Sequence, residues 1–336
     1  MKHINIPIFI PHLGCPNQCI FCNQRFISGH IEFSELDVER QILEVLSTTG
    51  EKKVEIAFFG GSFTGIDRSL MVRLLDLAQK YVNDGRVCAI RMSTRPDYID
   101  EEVISILKKY TVSCVELGVQ TVNDEILTYL KRGHTVKDTK NAILLLKKHG
   151  IPFVGQMMIG LPKATIEDEI ECAKFICEQG AVGSRIYPTI VFKQTELEKI
   201  TELNEYKPLS FEEAVDRSAS VLDIFVKNGV PCIRIGLCDS ENLHSDDTFV
   251  AGPNHPSLGE MIKSRLYFNK ICDILNTNKF SNNIIIFCPK GVVSQVVGNS
   301  KSNILKIQEI YGFKSIKVYE DDSLKSYDIK IKSKED

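Results

Sequence analysis

Six short apolar runs, each followed by an amphipathic stretch, are the feature that most restricts this chain. The runs cover residues 4–10, 54–59, 87–93, 114–119, 152–159 and 184–190. Apolar residues recur at helical spacing over 34–46, 69–82, 101–109, 123–130, 136–149 and 166–179. In the fifth of these, Ile143, Leu144 and Leu146 are expected inward, with Lys147 and Lys148 outward. Strands alternating with helices predict a parallel sheet made of βα units. Six units in series predict an α/β fold, a partial (β/α)6 TIM-like barrel, and 336 residues accommodate it together with a small extra unit. Such barrels place their chemistry in the loops that follow the strands. Reactive residues are therefore expected at strand carboxyl ends.

After residue 197 the rhythm changes. Residues 209–228 predict another long helix, with Ser210 and Glu213 spaced as a capping box. A polar, turn-rich stretch then runs from Cys238-Asp239-Ser240-Glu241-Asn242 to His255-Pro256. Residues 282–336 read as a small α/β unit, with a strand over 284–287, a helix, a strand over 315–319 and a lysine-rich end. The expected division is 1–235 for the barrel, 236–281 for a connecting segment carrying active-site residues, and 282–336 for the small unit. A formal net charge of -3 argues against non-specific coating of nucleic acid, while leaving room for a local basic patch. No apolar run reaches membrane-spanning length, and the start lacks the apolar core of a signal peptide. A cytoplasmic protein without a membrane partner is expected.

The chain has 11 cysteines, an odd number that suits a disulfide framework poorly. Cys88, Cys114, Cys172, Cys177 and Cys272 sit in apolar stretches and are expected as small buried hydrophobes. Cys15, Cys19 and Cys22 are different. They form a CxxxCxxC spacing directly after the first expected strand. Three thiolates can hold three irons of a cubane and leave the fourth iron without a protein ligand. A structural zinc site is the rival reading; it needs a fourth ligand, and His12 is near enough in sequence to serve.

CxxxCxxC with an aromatic, Phe21, before its last cysteine resembles the hallmark of the radical S-adenosylmethionine (SAM) superfamily. Further matches stand in order at strand ends: Gly60-Gly61-Ser62, Ser93-Thr94-Arg95-Pro96-Asp97, Glu116-Leu117-Gly118-Val119-Gln120-Thr121 and Met157-Met158-Ile159-Gly160-Leu161-Pro162. The last two of these resemble the oxygen-independent coproporphyrinogen oxidase branch. The set as a whole is most similar to the radical SAM domain of the Elongator catalytic subunit, with Arg185-Ile186-Tyr187-Pro188-Thr189 and Thr195-Glu196-Leu197 adding to the match over roughly residues 5–235. The resemblance implies a radical SAM barrel, with a [4Fe–4S] cluster on Cys15, Cys19 and Cys22. It implies cofactor contacts from Phe21, Gly60, Gly61, Ser62, Arg95, Gln120, Arg132 and Gln156. Within that set, the glycine pair would meet the SAM amino group, Gln120 the ribose and Arg132 the carboxylate. The chain departs from its relatives at Gln156, where many carry Asp. It also departs from the Elongator type in its compact cysteine spacing, and no acetyltransferase domain follows the barrel. The acetyl-CoA-dependent carboxymethylation of tRNA wobble uridine would then need an acyl donor in trans, or the reaction differs.

The implied chemistry is reductive cleavage of SAM to a 5′-deoxyadenosyl radical, with electrons from a low-potential donor such as flavodoxin or ferredoxin. Tyr187, Lys193, Cys238 and His255 are the candidate catalytic residues around substrate. Residues 296–319, with Gly298-Asn299-Ser300-Lys301 at the turn, resemble a KH-type nucleic-acid module in which lysine replaces the second glycine of the GxxG loop. RNA, with tRNA the natural candidate, is the expected substrate. A small-molecule oxidoreductase of the coproporphyrinogen-oxidase kind and a zinc-stabilised RNA-binding protein without catalysis are the alternatives.

Overall fold

The six expected strands form and pair in chain order, every pairing parallel. The computed structural model describes residues 3–10, 13–16, 18–23, 33–50, 53–237 and 247–334. The strands are β1 (His3–Phe9), β2 (Lys53–Phe59), β3 (Ala89–Thr94), β4 (Val112–Gln120), β5 (Phe153–Ile159) and β6 (Gly183–Pro188). A two-residue strand, β7 (Val191–Phe192), follows, and a seventh member of the main sheet, β8 (Cys232–Ile235), pairs in parallel with β6. The sheet curls into a half-barrel with helices. Sequence periodicity missed β8 because Arg234 interrupts it and Ile233 is 45% exposed, so no apolar run marks it.

Strands covered on both faces read as nearly continuous apolar segments, as Val54–Phe58 does. Strand and helix side chains merge into one core, with Ile6, Ile56, Ile90, Val115 and Met157 from the sheet and Ile42, Leu75, Ile143, Ile176 and Leu222 from the helices. Helix starts are fixed locally. Asp67, Asp100, Asn123, Thr135, Thr165, Thr195 and Ser210 each accept a hydrogen bond from a first-turn N–H, and Thr135, Thr165 and Ser210 form full capping boxes. Two expectations fail. Leu144 faces solvent, one position beyond the inward stripe of its helix, Val136–Lys148. Cys88 is exposed because its neighbour Val87 takes the inward place just before β3, and of the other four cysteines expected inside, Cys114 and Cys172 are buried while Cys177 and Cys272 are only half-buried.

Beyond β8, β9 (Phe249–Ala251) pairs antiparallel with β7. A 20-residue helix, Leu258–Thr277, then serves two cores. Its first half puts Leu258, Ile262 and Leu266 into the barrel core, and its second half puts Tyr267, Ile271 and Leu275 into the core of the terminal unit. That unit contains β10 (Asn283–Cys288), helices Val293–Val297 and Ser302–Tyr311, β11 (Ser315–Glu320) and β12 (Lys330–Ser333). Its sheet order is β11-β10-β12, parallel on one side and antiparallel on the other. Between its helices, Gly298, Ser300 and Lys301 all have positive φ. Among the described residues no helix is long and apolar enough to cross a membrane.

Candidate active site

A cavity of about 230 Å³ opens at the carboxyl ends of the barrel strands. Cys15, Cys19 and Cys22 all line it, from the loop that follows β1. That loop is fastened on several sides. Ile20 is buried with Ile126, Leu130, Met158 and Leu197, its N–H donates to Leu130 O at 3.1 Å, and its carbonyl accepts from Leu197 N at 2.8 Å. The Cys22 N–H closes a turn on Cys19 O at 3.0 Å, and Ser62 N donates to Leu13 O at 3.2 Å.

Two glycines let this loop reach the end of β2. A Cβ on Gly61 would stand 2.5 Å from Leu13 O and 2.8 Å from Ile10 O, and one on Gly14 would stand 2.2 Å from Ser62 O. All three contacts are to backbone, which has little room to yield. Gly61→Ala should therefore push the cysteine loop off the strand end and lower stability by about 1–3 kcal/mol, as overpacking does. Urea unfolding of the metal-free protein measures this, and an unchanged midpoint would show the loop moving freely.

Two buried guanidinium groups stand near the thiols. Arg95 holds Asp97 through Nε and Nη2 at 3.0 and 2.7 Å, while its Nη1 is buried without a hydrogen-bond partner. Arg132 places Nη1 3.6 Å from Cys19 Sγ and Nη2 3.2 Å from Gly118 O, and its Nε is buried without a partner. Gly118 lies close beneath Arg132, since a Cβ there would meet Arg132 Nη2 at 2.8 Å. Burial raises the Cys15 thiol above its ordinary pKa, and Arg132 and Arg95 pull it back. Burial, reinforced by the same two arginines, pushes His134 down to about 3, so it stays neutral and adds no further positive charge. Among the described residues no three His, Cys, Asp or Glu side chains converge closely enough to share an ion. Three soft sulfur donors on one cavity wall, beside the guanidinium groups of Arg95 and Arg132, nevertheless form a donor set suited to an anionic iron–sulfur group.

Next to Arg132, on the same side of Gly118, Gln120 and Gln156 pair reciprocally, amide to amide, at 2.8 and 3.0 Å. Gln120 has φ +65 at an irregularity in the β4–β5 register, which aims its side chain at the strand-end cavity. Behind the fifth strand end, Glu169 accepts from Gly160 N at 2.6 Å and from Arg217 Nη2 at 2.6 Å, fixing the Gly160-Leu161-Pro162 turn. Burial raises the Glu169 pKa and Arg217 opposes the rise.

Sequence reasoning missed a chain of charges through the barrel interior. Arg91 Nε donates to Glu55 at 2.6 Å and its Nη1 donates to Glu116 at 3.1 Å. Glu116 also accepts from Arg185 Nη2 at 2.7 Å, and Arg185 Nη1 donates to Tyr187 Oη at 2.9 Å. The Arg185 guanidinium lies 5.2 Å from the Phe59 ring centroid. Glu116, Arg185 and Tyr187 all line the cavity. The available signal was a carboxylate inside an apolar strand, Val115-Glu116-Leu117, since charges are rarely buried unless paired.

Of the expected site residues, Phe21, Gly60, Gly61, Arg95, Gln120, Arg132, Gln156 and Tyr187 line the cavity together with the three cysteines. Ser62 does not. It is fully buried behind the wall, where its hydroxyl meets Thr94 Oγ1 at 2.8 Å and accepts from Arg95 N at 3.2 Å. Lys193 follows β7, away from the cavity lining, with its N–H on Thr248 O. His255 is exposed and borders a separate small pocket; its Nδ1 accepts from Ser257 N at 3.0 Å, just before helix Leu258–Thr277. Cys238, Asp239, Glu241 and His12 lie outside the described residues.

A family model described as the Radical SAM superfamily matches residues 9–176, and one described as the Radical SAM C-terminal domain matches residues 182–267. An uncharacterized protein of Methanocaldococcus jannaschii is 30% identical over 235 residues, covering 66% of this chain and 72% of that protein. A tRNA uridine(34) acetyltransferase of the same archaeon is 35% identical over 196 residues, covering 52% of this chain. The match takes in 36% of that relative, so the chain spans about a third of its length. The structure of the archaeal Methanocaldococcus infernus Elp3 with an N-terminal deletion superposes with a TM-score of 0.62 at 26% identity, covering 80% of this chain and 63% of the other.

Proposed function

We propose, from the premise that this chain belongs to the radical SAM superfamily and is an enzyme of it, that Cys15, Cys19 and Cys22 hold a [4Fe–4S] cluster and that the substrate is RNA. The observation that carries this reading is the cysteine loop, which is locked onto the β2 end by Gly14 and Gly61 and lines one cavity together with the buried Arg95 and Arg132. When bound, the cluster and SAM together supply a 5′-deoxyadenosyl radical able to abstract hydrogen from substrate.

The protein's part is to bind, orient and shield. Three cysteine ligands leave one iron free of protein. Arg132 is the natural partner for the SAM carboxylate, because a guanidinium pairs with a carboxylate in two parallel hydrogen bonds. Arg95 stays charged beside the sulfurs and offsets the negative charge gathered there. The Gln120–Gln156 pair offers amide donors and acceptors to ribose hydroxyls. Ile20 and its buried neighbours close the loop from behind and keep water from that side. Tyr187, held by Arg185, faces the remaining space, where substrate would enter.

A tRNA substrate is supported by the similarity to a tRNA uridine(34) acetyltransferase. It is supported further by the order of the terminal unit, in which the Gly298–Lys301 turn joins two helices between β10 and β11, as expected of a KH-like module. In this reading residues 1–235 generate the radical, 236–281 border the mouth and 282–336 engage RNA. It carries a cytoplasmic location with it, and reduced flavodoxin or ferredoxin as electron donor.

Anaerobic reconstitution with iron and sulfide tests the cofactor. The expected product is brown, contains one cluster per chain and cleaves SAM under reducing conditions; stoichiometric zinc and no SAM cleavage would sink the assignment. Nucleoside analysis of bulk tRNA from a deletion strain and its parent tests the substrate. One modified nucleoside should disappear, and identical profiles would count against tRNA.

A further inference from the structure

The outward face of the terminal sheet carries a feature that the barrel does not account for. In β10, Ile284, Ile286 and Cys288 point into the core of the unit, and the alternate residues Ile285 and Phe287 point away. The β10–β11 register sets Phe287 beside Tyr319 and Ile285 beside Lys317, and the β10–β12 register sets Phe287 beside Lys330 and Ile285 beside Lys332. The Phe287 and Tyr319 rings lie side by side, centroids 6.4 Å apart. Lys332 Nζ stands 5.7 Å from the Phe287 centroid. Lys317, Lys330 and Lys332 are exposed, and Tyr319 is 48% exposed. Neither ring belongs to a core cluster of the described residues. Of the nearby carboxylates, Glu320 accepts from the Gly291 N–H and Asp321 from the Ser323 N–H. Hydrogen bonding to Ser323 lowers the Asp321 pKa, and Lys330 and Lys332 are close enough for their charges to lower it further, so Asp321 offsets part of the positive charge there while Lys317 stands clear of it.

Two adjacent aromatic rings framed by three lysines make up the surface that unstacked bases and their phosphates require. We propose that this sheet face binds a single-stranded segment of RNA, with bases on Phe287 and Tyr319 and phosphates on Lys317, Lys330 and Lys332. The three cations around the rings complement the charge of a phosphate backbone. A cross-strand aromatic pair built only to stabilise the sheet would have no need of them. Helix Leu258–Thr277 is embedded in both cores, so a strand held on this face has a fixed position relative to the barrel cavity. The inference rests on the reading of RNA as substrate and names a surface that binds it.

Fluorescence anisotropy with a short labelled oligouridine and the full chain tests it, because binding needs no cofactor. Phe287→Leu and Tyr319→Leu keep apolar bulk but remove the ring, and each should weaken binding roughly five- to hundredfold. Lys317→Gln, Lys330→Gln and Lys332→Gln should each flatten the dependence of log affinity on log salt by about 0.7. Leu144→Ala, at an exposed position of barrel helix Val136–Lys148, should leave affinity unchanged. If the wild type binds oligouridine and neither the ring nor the lysine variants weaken it, this face is refuted while RNA as substrate survives. If the wild type binds neither oligouridine nor unfractionated tRNA, both fall. Self-association that is insensitive to salt and lost in Tyr319→Leu, without RNA binding, would assign the face to a second copy and overturn the proposal.

Discussion

Cys22→Ala is expected to reduce SAM cleavage to the level of a protein-free control and to leave less than one cluster per chain after anaerobic reconstitution. Cys15→Ala and Cys19→Ala should do the same, because three thiolates are the minimum that leaves a single iron open. The fold should survive. The loop is anchored by buried Ile20, by its two backbone bonds to Leu130 and Leu197, and by the backbone turn of Cys22 on Cys19, none of which needs the Cys22 side chain. Stability of the metal-free variant should therefore stay within about 0.5 kcal/mol of the wild type. Cys88→Ala, at an exposed position near the start of β3, is the matched control and should retain full cleavage. Cleavage by Cys22→Ala at the wild-type rate would overturn the ligand assignment.

Glu116→Leu is expected to cost about 3–5 kcal/mol of stability, the usual penalty for stranding buried charge. Glu116 is 3% exposed and is shared by Arg91 and Arg185, so its loss removes the anion between two interior cations. Arg185 is the more vulnerable, since its Nε is already buried without a partner. Urea unfolding should show a lower midpoint with an unchanged slope. Adding Arg185→Leu should recover part of the loss, because an apolar pair of similar volume removes the stranded charge. A loss below about 1 kcal/mol in the single variant would mean that water replaces the carboxylate at little cost.

Much of the barrel was legible because local and global signals coincide there. The runs at 54–59 and 152–159 are apolar on both faces and allow little but buried parallel strands. Caps such as Thr135-x-x-Asp138 and Thr165-x-x-Asp168 mark helix starts by short-range chemistry alone. The cysteine spacing and the ordered strand-end motifs gave the cavity wall in advance, from Gly60 through Arg132 to Gln156. What escaped depends on distance. The Glu116–Arg185 bond joins residues 69 apart, and only the pairing of strands brings them together. β8 escaped because it is short and half exposed, and its place comes from the open edge of β6 rather than from its own pattern. Ser62 was expected in the cavity, but the 3-10 turn at Phe63–Gly65 leads the chain inward and buries its hydroxyl against Thr94. The paired aromatics of the terminal sheet were equally hidden, because Phe287 and Tyr319 meet only through register.

Helix Leu258–Thr277 also governs how this chain comes apart. Its two halves supply hydrophobic neighbours to separate cores, so neither core can melt without stripping half of one continuous helix of its cover. Helical order propagates from residue to residue, and a helix that loses support over half its length frays toward the rest. The barrel and the terminal sheet are thereby joined into one cooperative foldon rather than two independent ones. Damage to the terminal sheet should be felt at the barrel edge, where the first turns of the same helix pack.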